Sequence, residues 1–170
     1  MPDSRTAVPS HSASRVSRVS RIAAARLLAS VLWAGMLWTL GYIAAPAVFA
    51  AVPSTVAGDV VAVLLHRLGW VSLGCAAAML VLVRLSRDLD AGRRRFLNLL
   101  VLAMLACALV MWIGLQPGMA QMRELAGPGG VRASPYWTQF AVMHGVSQLF
   151  HVIESVLAAV LVLKSRGPSA

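Results

Sequence analysis

Acidic residues are scarce: six in a chain of 170, against fifteen lysines and arginines. That scarcity excludes a carboxylate-bridged di-iron bundle, which needs an inward His/Glu pairing twice together with two further carboxylates. His151 and Glu154 supply one such pairing, on adjacent turns, and nothing repeats it. Cysteine is scarcer still, with Cys75 and Cys107 both inside apolar stretches. Counted at ~1.5 Å per residue, Cys75 falls toward the inner leaflet and Cys107 near the midplane, so the two are mismatched in depth for a disulfide and read as packing residues. No nucleophile with a partnered base stands out, and no enzyme is expected. No cofactor is expected either. Charge of either sign is low at 12%, while 59% of residues are hydrophobic and the mean hydropathy is +0.76. A chain this apolar is not an ordinary soluble domain; its solvent is lipid.

Four apolar runs are long enough to cross a bilayer: Leu27–Val52, Val60–Val83, Phe96–Gln116 and Trp137–Leu163, each near or above the ~20 residues that a spanning helix needs. The expected fold is an all-α membrane protein, a four-transmembrane-helix bundle spanning 27–164, with a basic Ser/Arg-rich tail at 1–26 and a short tail at 165–170. The net charge of +9 is a matter of position. Arg5, Arg15, Arg18, Arg21 and Arg26 precede the first run, Arg84, Arg87, Arg93, Arg94 and Arg95 lie between the second and third, and Lys164 and Arg166 follow the fourth. The other two loops hold only Arg123 and Arg132. This bias places both termini and the central loop in the cytoplasm. It is a topology signal, so nucleic acid is not an expected partner. The expected partners are the lipid bilayer and a homo-oligomer or another membrane protein.

The tail segment "SRVSRVSR" reads either as a helical face for anionic headgroups or as a solvated tail. Its Arg/Ser-rich character and Val48-Phe49-Ala50 faintly resemble processing signals, but the first run is too long for a leader's apolar region. Gly35 and Gly41 permit close approach of a neighbouring backbone, and Pro46, with no N–H for the Tyr42 carbonyl, predicts a kink or a polar partner. "LQPGMAQMREL" predicts a helical extension beyond the membrane, bent at Pro117. Ser134-Pro135 reads as an N-cap with proline at the first position of the last helix.

The polar content of that last helix is concentrated in "HGVSQLFHVIES", residues 144–155. At 100° per residue His144, Gln148, His151 and Ser155 fall within about 60°, and Ser147 and Glu154 widen the arc to roughly 120°. This face should turn inward. A carboxylate in hydrocarbon is neutral or paired, and intramembrane ionisable groups are functional candidates. Arg67 in the second run sits too near the outer end for Glu154 and is expected to reach toward Asp59, leaving His151, Ser155 or water as partners of Glu154. The leading site joins the helix 1 proline turn to the His144 turn: Tyr42, Pro46, Gln116, His144 and Ser147, holding a small ligand or ion. His66, Met119 and His144 lie at related depths and form a weaker alternative for copper, with His66 and His144 alone as the alternative axial pair of one haem. A third alternative is an assembly protein whose polar residues join helices.

"WAGMLWTLGYIAAPAVF", "AGDVVAVLLHRLG", "LQPGMAQM" and "FAVMHGVS", in that order, resemble the bacterial inner-membrane proteins of domain-of-unknown-function family 4149. That family is similar to the transmembrane protein 205 group and, distantly, to the membrane part of copper-resistance protein D. The matching positions are Gly35, Trp38, Gly41, Tyr42, Pro46 and Phe49, then Ala57 and Gly58, then Gln116, Pro117 and Met119, then His144, Gly145 and Ser147. The resemblance implies four transmembrane helices, a bacterial inner-membrane location and no established activity. His66 departs from the pattern, which has an apolar residue there, and His151 and Glu154 lie outside the motif. Within the resemblance His144 is therefore the best site candidate.

Overall fold

The computed structural model describes residues 11–166, with side chains from 19 onward; the first ten residues of the basic tail and the last four of the chain lie outside them. Four apolar helical spans result, Val19–Ala51, Ser54–Leu85, Ala91–Gly129 and Trp137–Ser165. The first comprises α1 (His11–Trp38), a π-helical turn at Thr39–Ala44 and α2 (Ala45–Ala51). The second is α3 (Ser54–Leu85). The third comprises α4 (Ala91–Leu109), a second π turn at Val110–Leu115 and α5 (Gln116–Ala126), and the fourth is α6 (Trp137–Ser165). Helix α1 is continuous from His11, so the "SRVSRVSR" stretch is helical and joins the first span without a break.

The helices form a ring in which α1 packs on α3 and α6, and α4 packs on the same two from the other side. The tight α3–α4 connection makes those two antiparallel neighbours, with Asp90 capping α4 by accepting the Arg93 N–H at 2.8 Å. The apolar core lies toward the basic end, where Trp33, Leu37, Met79, Val83, Leu97, Val101, Met104 and Leu161 are wholly buried or nearly so. Leu28, Ile43, Val63, Leu99, Ile113 and Leu149 face outward. That is the distribution of a bundle whose solvent is hydrocarbon. Cys75 and Cys107 are both free.

At the basic end Arg26 is fully buried. Its guanidinium meets Asp88 at 2.8 and 3.4 Å, donates to the Ser86 hydroxyl, and through Nε reaches the Ser165 carbonyl at 3.3 Å. One side chain of α1 thus ties the end of α6 to the α3–α4 connection. The Arg26 hydrogen bond holds the Asp88 carboxyl below its ordinary value, against the opposing effect of partial burial. Arg93 adds contacts to the Lys164 and Arg166 carbonyls. Sequence reading counted Arg26 only as a topology charge.

Both π turns end immediately before an X-Pro bond. The Ala45 N–H bonds the Leu40 carbonyl and the Gln116 N–H bonds the Met111 carbonyl, five residues back rather than the α-helical four. Pro46 and Pro117 then offer no N–H. The Gly41 and Trp112 carbonyls consequently have no amide donor in their own helices. At Pro46, where a kink or a polar partner is expected, the structure has a π turn, and α5 carries the third span onward as the amphipathic extension. The last helix begins at Trp137 rather than Pro135: the Ser134 hydroxyl accepts the Tyr136 N–H at 3.2 Å in a turn that precedes it, and Arg132 lies 5.3 Å from the Trp137 ring centre.

Candidate functional site

The inner face of α6 emerges as the sequence periodicity predicts at Ser147, His151, Glu154 and Ser155, all buried. His151 lies fourteen residues from either end of α6, at the middle of the span. Each neighbouring helix meets this turn differently. From the first span, Tyr42 of the π turn donates its hydroxyl to Ser155 Oγ at 3.1 Å, the Trp38 indole N–H at the end of α1 reaches the Ser155 carbonyl at 3.3 Å, and the Tyr42 and His151 rings lie 5.5 Å apart. Gly41 abuts the imidazole so closely that a Cβ built on it would overlap His151 Nε2. Gly41 therefore serves the close approach expected of it. Gly35 does not, since a Cβ there would meet nothing within 4 Å.

On the other side of the same turn, a cavity of about 20 Å³ lies between α3, the second π turn and α6. That is room for about one water. His151 and Glu154 reach it from α6, Ser72 and Gly69 from α3, and Trp112 and Gln116 from the third span. Ser72 is engaged, accepting the Trp33 indole N–H at 3.1 Å. His151 and Glu154 are 5% and 2% exposed, yet His151 Nε2 and Glu154 Oε1 have no hydrogen-bond partner in the protein. The other unpartnered buried polar atoms among the described residues are on Arg94, Asn98 and Ser165, away from the cavity. Buried polar groups are paired in more than ~90% of cases, so two cavity-lining residues that each carry an unpartnered polar atom call for a ligand, although His151 Nε2 itself is the edge of the ring that Gly41 abuts.

The sequence-derived site is only partly assembled. Gln116 lines the cavity and Tyr42 stands against His151, but His144 is exposed and stacks on Phe140 of its own helix, with ring centres 6.0 Å apart. Its angular position on α6 is inward, but α2 packs on α3 and leaves the N-terminal half of α6 uncovered on that side. Ser147 is buried and spends its hydroxyl on the His144 carbonyl at 2.8 Å. Pro46 is exposed and shapes the turn without touching the cavity. Arg67 is exposed and does not pair with Asp59, whose partner is Arg123 at 3.9 Å. Of the alternative metal set, His66 accepts the Trp112 indole N–H at 3.0 Å, His144 packs on Phe140, and Met119 is buried on α5. Among the described residues no cluster of three or more His, Cys, Asp or Glu side chains has the geometry to hold a metal ion. Trp112, Gly69 and Ser72 were missed in sequence, because a tryptophan, a glycine and a serine at those places read as ordinary helix packing.

Among curated proteins and among solved structures, no match to this chain is found. A family model described as a domain of unknown function does match residues 28–127, from the second residue of the first apolar run to just past α5. It covers the segments carrying Tyr42, Pro46, Ser72, Trp112 and Gln116, while α6 with His151 and Glu154 lies beyond it. Three of the four spans and well over half of the chain are thus accounted for, and the protein belongs to the DUF4149 family.

Proposed function

We propose that this integral membrane protein binds a single proton, shared between Glu154 and His151, in the middle of the bilayer. The observation that supports this reading is that His151 and Glu154 both line a water-sized cavity and each carries a buried polar atom with no partner in the protein. Polar residues that only join helices have partners on other helices, as Ser155 has in Tyr42 and Ser72 in Trp33. Glu154 Oε1 and His151 Nε2 have none. A lone carboxylate at this depth costs ~2.5–3.5 kcal/mol on insertion scales if charged. A proton relieves that cost, and neutral imidazole on the preceding turn can accept or return it. A larger ligand does not fit a space of about 20 Å³. A metal ion would find one carboxylate and one imidazole where several ligands are required. The reading is tested by infrared titration of protein in nanodiscs. A protonated-carboxyl band that titrates in the parent and is lost in Glu154→Gln supports it, and identical spectra for the two proteins remove it.

A second reading, assembly with another membrane protein or a second copy, is favoured by one observation. His144 and Gln148 are both exposed on the outer half of α6, at membrane depth. Polar groups facing lipid gain from interhelical hydrogen bonds worth ~0.6 kcal/mol each on average. Association that weakens in Gln148→Leu, measured by single-molecule photobleaching in bilayers, supports this reading.

A further inference from the structure

We infer that Trp112 is the movable wall of the intramembrane cavity, the side chain that must swing aside for water or a proton to reach His151 and Glu154. This inference rests on the reading of those two residues as the binding site and adds how that site is closed. The indole lines the cavity on one side and on the other donates its N–H to His66, an exposed side chain, at 3.0 Å. It therefore lies at the edge of the cavity that faces the exposed surface of the bundle.

The seat of the indole is built on a single helix, α3. Gly69 is the floor: a Cβ there would lie 2.7–2.8 Å from the ring carbons of Trp112, so only glycine lets the indole lie flat. Trp70 meets the ring edge-on at 4.8 Å, and His66 holds its far end. The third span supplies only the attachment point, and that point is the second π turn. There the Gln116 N–H is committed to the Met111 carbonyl and Pro117 has no N–H, so turning the segment breaks no amide bond to the Trp112 carbonyl. On the neighbouring surface Ile113 is 64% exposed, and a Cβ built on Gly114 meets nothing within 4 Å. The segment has room to turn, and one hydrogen bond with one flat contact keeps it closed. π turns within α-helices are frequent at functional sites.

The test uses the full chain in lipid nanodiscs with Cys75→Ala and Cys107→Ala, and Ser72→Cys as a reporter inside the cavity. Its rate of reaction with a small water-soluble methanethiosulfonate is measured. The wall predicts slow reaction in the parent, a roughly tenfold rise in Trp112→Ala, and smaller rises in Trp112→Phe, His66→Phe and Gly69→Ala. A second reporter, Met104→Cys, lies in the wholly buried core toward the basic end and must stay shielded throughout. Rates at Ser72→Cys that do not respond to any of the four changes overturn the inference, as does a rise at Met104→Cys equal to that at Ser72→Cys, which is general loosening. Gln116→Cys, also on the cavity, replaces Ser72→Cys if the latter does not fold. The two readings fail separately: an unresponsive reporter with a titrating Glu154 removes the wall alone, and a responsive reporter without a titrating Glu154 removes the proton site alone.

Discussion

Replacing Asp88 by Ala should be among the most damaging single changes outside the membrane core. Arg26 is fully buried and Asp88 is its carboxylate partner among the described residues, at 2.8 Å, with 7% of the Asp88 side chain exposed. Removing one member of a buried pair leaves an uncompensated charge and costs about 3–5 kcal/mol. The Ser86 hydroxyl and the Ser165 carbonyl remain as acceptors, so the lower end of that range is expected. Asp88→Asn keeps an oxygen toward Arg26 and should lose about 1–2 kcal/mol. The assay is reversible unfolding in mixed micelles, read by helical circular dichroism. The pH dependence has a definite sign: the Asp88 carboxyl is held low by Arg26, so its contribution is fully present above the ordinary carboxylate range. It disappears as pH falls through the lower folded value. Arg26→Met with Asp88→Leu should recover much of the loss, because the charge and its desolvation go together. An Asp88→Ala protein within about 0.5 kcal/mol of the parent, or one whose acid sensitivity equals the parent's, would refute this account of the basic end.

Gly41→Ala should destabilise by about 1–3 kcal/mol, since the added methyl overlaps His151 Nε2; Gly35→Ala, with nothing within 4 Å of its Cβ, should be neutral or gain up to about 1 kcal/mol, both measured by the same unfolding assay. Trp33→Phe loses the hydrogen bond to Ser72 and should cost about 1 kcal/mol. Tyr42→Phe removes the bond to Ser155, should cost about 0.6 kcal/mol, and should leave the Glu154 infrared titration in place. His144→Ala should leave both unfolding and that titration unchanged, because His144 is exposed and away from the cavity.

The spans were legible in sequence because a bilayer demands ~20 apolar residues in a row and little else satisfies that demand. The inward face of α6 was legible for the same kind of reason: a 100° repeat put Ser147, His151, Glu154 and Ser155 together whatever surrounded them. His144 and Gln148 share that arc but are exposed, because α2 packs on α3 beside the N-terminal half of α6, and no periodicity within one helix reports where its neighbour goes. Pro46 and Pro117 marked both irregular turns, yet the shift to a five-residue hydrogen bond depends on packing that lies outside the proline's own neighbourhood. Trp112 was invisible as a cavity wall since its role is set by Gly69 and His66 on another helix. Arg26 looked like its four tail companions; only the approach of Asp88 and Ser165 distinguishes it.

The central claim is that the Glu154–His151 turn binds a proton, and infrared difference spectroscopy on nanodisc-embedded protein tests it most directly. Titration in light and heavy water, comparing the parent with Glu154→Gln and His151→Phe, isolates the carboxyl band of this one residue from the other acids. The account predicts a deuterium-sensitive carboxyl band in the parent, absent from Glu154→Gln and displaced in its titration by His151→Phe. A parent spectrum without a band assignable to Glu154, or one indifferent to His151→Phe, would contradict it.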